Sequence, residues 1–221
     1  MKLSKVTAAS LVVLTGLTLS TTAVHAEEVG AFDTHATFEL KAGDGGPTDP
    51  LEPIDPVEPP MTGPLRIDAV SSFNFGSVKL GEGKGVYEAI KTIDEETQKE
   101  SVLGLQVTDS RGTGVGWSVG VKISDFDGKI PSNILKGAEV TIPKGSLKTN
   151  SADDKKAPIT VGVSLTKEST PIFTAEKDTG MGTWANLFEG SNEKVTLTVP
   201  EGNYADQYSA DITWTLQNAP K

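Results

Sequence analysis

The sequence contains no cysteine, only two histidines and few basic residues, and each shortage argues against a class of protein. Without cysteine the 221-residue chain has no disulfide, no thiolate metal site and no lipid-modified thiol. His25 falls within the first 26 residues, which have the pattern of a signal peptide, and His35 lies in the N-terminal lead-in, so a Ser-His-Asp triad or a histidine metal centre has almost no material. Its 20 Lys and Arg against 30 Asp and Glu give a formal charge of −10. Such a chain is a poor binder of nucleic acid, because phosphate affinity is built from basic side chains.

The first 26 residues have the pattern of a secretory signal peptide. Lys2 and Lys5 precede an apolar stretch over 6–19, and Val24-His25-Ala26 suits signal peptidase, so cleavage is expected after Ala26. The stretch is shorter than the roughly 20 residues of a membrane-spanning helix, and no other apolar run of that length follows. The sequence therefore predicts a secreted chain without a transmembrane anchor. Loss of the two lysines, with no acid in residues 1–26, changes the formal charge from −10 to −12.

The mature chain divides into a lead-in over 27–43, a Pro-rich acidic linker over 44–64 and a main domain over 65–221. In the lead-in, Phe38 and Leu40 alternate with polar residues and predict a short first strand. The linker has proline at nearly every third position with acidic residues between, which is typical of an extended polyproline II segment. A spacer or surface excursion is the simpler interpretation, and a specific peptide-recognition ligand is the alternative.

From Leu65 onwards, apolar and polar residues alternate in short runs separated by polar or Gly-rich loops. Each run has its apolar residues on one face, which predicts sheets with one buried face and one face in water. The runs lie at 65–70, 73–80, 103–107, 117–123, 140–142, 159–165, 195–199 and 208–216. This spacing predicts a single all-β domain, an antiparallel β-sandwich of Ig-like or related type. The last run must close a sheet formed by earlier strands, because alone it cannot bury its apolar face.

Two segments share a tryptophan pattern. Trp214-Thr215-Leu216 has an earlier counterpart in Trp117-Ser118-Val119, which follows the Gly-rich run over 109–116. With these segments, and with further matches at 63–65, 67–76 and 182–184, the chain resembles the WxL-domain surface proteins of Gram-positive bacteria. Val119 stands where the family has Leu, a change that an inward strand position tolerates.

The resemblance implies non-covalent attachment to the cell wall, with peptidoglycan as the ligand. It also implies a surface complex with a membrane-anchored WxL-interacting protein and other surface proteins. The C-terminal residues 217–221 lack a sortase motif, so any attachment is expected to be non-covalent. The alternative function is an adhesive or structural subunit that binds such a partner or host matrix, with only indirect wall association. No carboxylate pair stands out for glycan cleavage, so the sequence predicts no enzyme and no cofactor.

Six residues are candidates for ligand contact. In Trp-x-Leu the two large side chains share a face, so a core position is the simpler interpretation and a rim position that stacks on a sugar is the other. Trp184, which lies between Gly182 and Ala185-Asn186, is the better candidate for an exposed platform. Glycines in the 109–116 loop would let the backbone approach a ligand closely, although an ordinary hairpin loop is the simpler interpretation. The six candidates are Trp184, Trp117, Trp214, Arg111, Gly112 and Gly114.

Two short motifs suggest chemistry only weakly. Asp178-Thr179-Gly180 matches the aspartic-protease tripeptide, but no apolar strand precedes it and no second copy exists, so it predicts a turn. Asp125-Phe126-Asp127-Gly128 begins like a calcium loop, yet position 12 counted from Asp125 is Lys136 instead of Glu. The sequence therefore predicts neither catalytic residues nor a metal site.

Overall fold

The computed structural model describes residues 35–46, 48–54, 60–81, 85–93, 98–152, 156–189 and 193–218. The predicted signal peptide and its cleavage site at Ala26 lie outside these residues. Within them the chain forms fourteen β-strands and no helix long and apolar enough to cross a membrane. The strands are β1 (Leu65–Val70), β2 (Val86–Glu88), β3 (Gly104–Asp109), β4 (Trp117–Ile123), β5 (Asp127–Gly128), β6 (Glu139–Ile142), β7 (Ser146–Thr149), β8 (Ile159–Thr160), β9 (Val163–Ser164), β10 (Thr170–Ala175), β11 (Gly182–Leu187), β12 (Thr196–Thr198), β13 (Tyr208–Ser209) and β14 (Ile212–Gln217).

These strands pair antiparallel in four sheets. Sheet A has the order β1-β3-β11-β7, sheet B the order β14-β4-β10-β8, and sheet C the order β2-β12-β6-β9, while β13 and β5 form sheet D. Side chains from sheets A, B and C meet in one apolar cluster, with Val107 from sheet A, Trp117 and Phe173 from sheet B, and Ile142 from sheet C. The predicted all-β antiparallel fold is confirmed, and burial of this cluster is its main source of stability.

Several strands lie where the alternation predicts them. β1 and β4 have the predicted bounds. β14 pairs with β4 at one edge of sheet B, so the last run of the sequence does complete a sheet formed by earlier strands. The run is nevertheless divided, because Tyr208–Ser209 pairs with β5 in sheet D before the chain enters sheet B. Alternation reports which residues share a face and cannot detect a change of pairing partner within a run.

Two predicted strands are not formed. Residues 35–46 contain no strand, and Phe38 and Leu40 are 89% and 86% exposed. Residues 71–80 also contain no strand, and Val78 and Leu80 are exposed. Alternation alone is insufficient, since a strand also needs a neighbour that satisfies its backbone groups.

The expectation of one wetted face is wrong for the centre of sheet A. All six residues of β3 are buried, including the polar Gln106 and Thr108 on the outer face. That face is covered by residues 48–54, hereafter the strap, whose Ile54 is only 3% exposed. The strap lies within the predicted linker, so this part of the linker is packed against the domain. The domain boundary after residue 64 stays a prediction.

Candidate functional site

The two tryptophan segments lie on adjacent strands of sheet B. β4 and β14 pair so that Val121 is opposite Trp214 and Val119 is opposite Leu216. Cross-strand neighbours point to the same side of a sheet, so both segments direct their large side chains to the shared apolar cluster. The likeness between the two segments therefore reflects one common packing environment.

Trp117 is fully buried at the start of β4. Its Nε1–H donates a hydrogen bond of 3.0 Å to the carbonyl oxygen of Gly180, and its ring meets that of Phe173 edge-on at a centroid distance of 4.9 Å. Gly180 has a φ of +67°, and a Cβ at this position would lie 3.0 Å from Trp117 Nε1. The turn that carries Gly180 is thus shaped to accept the indole, and Trp117 is a core residue.

Trp184 is 2% exposed, so the prediction that it forms an exposed platform is wrong. It lies on β11, which is flanked by β3 and β7 in sheet A. Its Nε1–H donates to the carbonyl oxygen of Met181 at 2.9 Å. The neighbouring Gly182 and Asn186 suggest a loop in the sequence, yet both belong to the strand and Asn186 is fully buried. Pairing on both sides of β11 overrides the weak strand preference of these two residues.

Trp214 is the most accessible of the three tryptophans. It is half-buried on β14, the edge strand of sheet B, and its indole stacks on the ring of Phe188 at a centroid distance of 5.9 Å and an interplanar angle of 8°. Phe188 also meets Phe73 edge-on at 6.2 Å, and Phe73 contacts Phe75 at 6.4 Å. We call these four side chains the aromatic row. Because Trp214, Phe73 and Phe75 are only partly buried, the row reaches the surface at the rim of the core.

Sequence reasoning missed Phe188 as a partner of Trp214. Phe188 is fully buried, follows directly after β11 and donates its backbone N–H to the carbonyl oxygen of Leu103. The sequence does contain a signal, since the run from Trp184 to Phe188 holds four apolar residues within five. A short and nearly continuous apolar run is typical of a strand that is buried on both faces, and such a strand shows no alternation of apolar and polar residues.

Arg111 has partners within the chain for most of its donors. Its Nε and Nη2 donate to the two carboxylate oxygens of Asp109 at 2.8 and 2.7 Å. Nη2 also donates to the carbonyl oxygen of Gly116 at 2.8 Å, and Nη1 donates to the side-chain oxygen of Asn218. With its side chain 11% exposed, the guanidinium orders the loop before β4 and joins it to the end of β14. A ligand would have to displace these contacts to reach Arg111.

The glycines of this loop allow the chain to cross from one sheet to another. The loop leads from β3 in sheet A to β4 in sheet B, so the hairpin interpretation is wrong. Gly112, Gly114 and Gly116 have φ values of +68°, +63° and +80°. A Cβ on Gly116 would lie 2.3 Å from the carbonyl oxygen of Ala175, and the carbonyl oxygen of Gly114 accepts the N–H of Asp178 at 2.7 Å. Gly112 is the exposed member of the three.

The two weak chemical motifs have ordinary surroundings. At Asp178 the backbone has a φ of +63°, and the N–H of Thr179 donates to the carbonyl oxygen of Glu176 at 3.1 Å, which is the predicted turn. Asp125 forms an ion pair of 2.8 Å with Lys167. In the part of the chain that the structure describes, no group of three or more His, Asp or Glu side chains is arranged to hold a metal ion.

A groove of about 780 Å³ lies on sheet C. Strand pairing places one carboxylate and three hydroxyl side chains in a row across its four strands, and the last two hydroxyl oxygens of the row are 3.2 Å apart. The row is Glu88, Thr196, Thr141 and Ser164. The lining also includes Lys144 and Lys194. The groove thus offers hydrogen-bonding groups beside apolar side chains, whereas the aromatic row consists of aromatic rings alone.

Comparison with known protein families gives a match over almost the whole chain. A family model described as WxL domain, surface cell wall-binding, matches residues 27–220. No curated protein and no solved structure matches the chain. The matched range includes the strap, both tryptophan segments, the aromatic row and the groove on sheet C.

Proposed function

The chain belongs to the WxL family of surface cell wall-binding domains, and on this premise we propose that it attaches non-covalently to peptidoglycan through this domain and catalyses no reaction. The family match over residues 27–220 is the observation that carries the proposal. In this proposal the protein is secreted and stays at the surface of a Gram-positive cell.

The contact surface in this proposal is the aromatic row. A sugar ring has an apolar face, and Trp214 and Phe75 offer aromatic faces at a rim where stacking removes apolar surface from water. Uncharged contacts also suit a chain with a mature charge of −12, since anionic wall polymers repel it. Among the six predicted contact residues, Trp214 thus has the strongest support, and Trp117 and Trp184 have the least because they are buried.

Sedimentation with purified peptidoglycan, stripped of teichoic acid, tests the proposal. The mature protein is expected in the pellet, Trp214→Ala in the supernatant, and Thr141→Ala, the control in the groove on sheet C, in the pellet. Because Trp214 is half-buried, its loss should lower stability by only about 1–2 kcal/mol, so the variant remains folded and the comparison is valid. If Trp214→Ala is found in the pellet and Thr141→Ala in the supernatant, the contact lies in the groove on sheet C. Parent protein in the supernatant would contradict direct binding.

The same assay tests the absence of catalysis. Soluble sugar fragments released from the peptidoglycan would show hydrolysis, which this proposal excludes. Reducing-sugar analysis of the supernatant over a day, with a known glycan hydrolase as positive control, would detect them.

Charge makes a further prediction for intact walls that still carry teichoic acid. Binding should strengthen as salt rises, because screening weakens repulsion between the acidic chain and the anionic polymer. It should also strengthen as pH falls towards the carboxylate pKa range near 4, because protonation removes negative charge from the protein. Sedimentation across both titrations measures this. Binding that weakens as salt rises would mean that attraction by the few basic side chains outweighs the repulsion. Binding that weakens as pH falls would contradict the charge argument.

A second function is supported by the position of β14. One side of this strand pairs with β4, and no described strand pairs with its other side. An open strand edge accepts a strand from another protein, so an adhesive or structural subunit of a surface complex is the second candidate. Recovery of the protein with a WxL-interacting surface protein, together with failure to sediment with bare peptidoglycan, would favour this function over the first.

A further inference from the structure

We propose that the outer face of sheet A is a recognition groove for acidic, Pro-rich peptides. In this chain the groove is filled by the strap, residues 48–54. The ligand we propose in trans is the same segment of a second copy of the protein, so that neighbouring copies exchange straps.

The first element of the groove is a backbone clamp. Gln106 is fully buried on β3, and its Oε1 accepts the N–H of Leu51 at 2.7 Å while its Nε2 donates to the carbonyl oxygen of Asp49 at 3.3 Å. Nε2 also donates to Asp68 Oδ2 at 3.2 Å, which fixes the orientation of the amide. The N–H and carbonyl groups of two residues at i and i+2 are those that an adjacent β-strand would use. The clamp therefore recognises the backbone of residues 49–51 irrespective of side chains. Beyond it the strap turns, because the N–H of Ile54 donates to the carbonyl oxygen of Glu52 at 2.6 Å.

The second element is an apolar pocket for one side chain. Ile54 packs with Ala69, Ala185 and Leu187 in a small cluster separate from the main core. A Cβ on Gly104 would lie 2.9 Å from Ile54 Cδ1, so the absence of a side chain at Gly104 provides part of the space. Small residues on three strands of the sheet thus form a pocket at a fixed distance from the clamp.

The third element is a pair of basic side chains that contact the strap near its ends. Arg66 is 4% exposed, is held by Asp68 at 2.9 Å and donates to the hydroxyl of Thr48. Lys148 forms an ion pair with Glu52. The surface accordingly binds a chain that has a hydroxyl residue, an acidic residue and a terminal apolar anchor in a fixed order.

The five central residues of the strap have a second copy in the sequence, although that copy lacks the hydroxyl residue and the terminal apolar anchor. Asp49-Pro50-Leu51-Glu52-Pro53 is followed, six residues further on, by Asp55-Pro56-Val57-Glu58-Pro59. The first copy lies in the groove, and the sequence repeats the same order of acidic, proline and apolar residues. The strap precedes β1, so its exchange between copies leaves every strand in place. A tethered segment competes at an effective concentration of about millimolar, so exchange in trans requires copies that are crowded together, as on a surface.

A matched pair of variants tests the groove. Leu51→Pro with Ile54→Asp removes the clamped N–H and the anchor but leaves the groove intact, whereas Gln106→Leu removes the clamp and leaves the strap intact. Fluorescence anisotropy of a labelled peptide with the sequence of residues 48–54 should show saturable binding to the first variant. Adding Gln106→Leu to it should weaken binding about tenfold or more. A peptide with Pro in place of Leu51 is the matched control and should not bind.

The same variants test exchange between copies. The Leu51→Pro, Ile54→Asp variant has an intact groove but a strap that cannot bind, and the Gln106→Leu variant has an intact strap but a groove that cannot bind. Light scattering should therefore detect a 1:1 complex only when the two are mixed. Excess peptide should dissociate this complex. Circular dichroism checks that each variant is folded, and Ile54→Ala replaces the double change if that variant unfolds. Absence of saturable peptide binding to the folded variant would overturn the groove. Peptide binding with a mixture that stays monomeric would overturn the second copy as its ligand.

Discussion

The two faces of sheet A are both buried, yet they are stabilised in different ways. On the inner face, Val107 and Trp184 lie opposite each other on neighbouring strands and pack into the apolar cluster of the domain. On the outer face, Gln106 and Thr108 of the same strand β3 form hydrogen bonds with Asp68 and with the strap. Alternate residues of β3 thus stabilise the fold by apolar burial on the inner face and by directional hydrogen bonds on the outer face.

This difference determines how each face fails. Apolar burial is non-directional, so the inner face loses stability in proportion to the volume removed and to the cavity that remains. A buried polar group costs little only while its partners are present, so the outer face depends on the strap remaining in place. The strap has few contacts outside this face, and it can therefore detach while the sheets remain folded.

The largest effect is expected on the inner face. Trp184→Ala should lower the free energy of unfolding by about 3–5 kcal/mol, because it removes a fully buried indole and leaves a cavity in the centre of the sheet. Urea denaturation followed by circular dichroism measures this loss. Trp184→Phe is the control and should lose less, since it retains an aromatic ring. A loss below about 1 kcal/mol would mean that the sheet collapses around the cavity and that its interior is not rigidly packed.

A smaller and local effect is expected on the outer face. Ile54→Ala should cost about 2 kcal/mol, the lower end for a buried Ile, because the strap can open without unfolding the domain. Amide hydrogen exchange should then be faster at Leu51 and at Val102, whose N–H donates to the carbonyl oxygen of Pro53. The amides of β11 should keep their protection. Loss of protection throughout sheet A would show that the two faces unfold as one unit.

On the inner face the inward residues of β1 and β3 could be predicted from the sequence, whereas Trp184 on β11 and the whole outer face could not. Alternation located β1 and β4 with their observed bounds, because an inward apolar residue at every second position is a direct consequence of strand geometry. The same pattern places Gln106 and Thr108 in water. A polar residue with buried hydrogen-bond partners and one surrounded by solvent look alike in a sequence, and the strap that makes the difference comes from about fifty residues earlier in the chain.

The candidate site shows the same limit. The glycine and polar neighbours of Trp184 make it the better candidate for an exposed platform, but pairing of β11 on both sides buries it. Trp214, with an almost identical local pattern to Trp117, keeps exposed surface because β14 is an edge strand and β4 is not. Strand order decides exposure here, and strand order depends on long-range pairing that local patterns do not contain.

The smallest effect is expected at the end of the strap. Glu52→Gln removes the ion pair with Lys148, whose side chain is 54% exposed, so the loss should stay below about 1 kcal/mol and should vanish in high salt. Exchange rates of the Leu51 and Val102 amides at low and high salt measure it. Glu88→Gln, which removes the exposed ion pair with Lys194 on sheet C, is the matched control and should leave these amides unchanged. A loss as large as that of Ile54→Ala, undiminished in salt, would mean that charge and not the buried anchor holds the strap on sheet A.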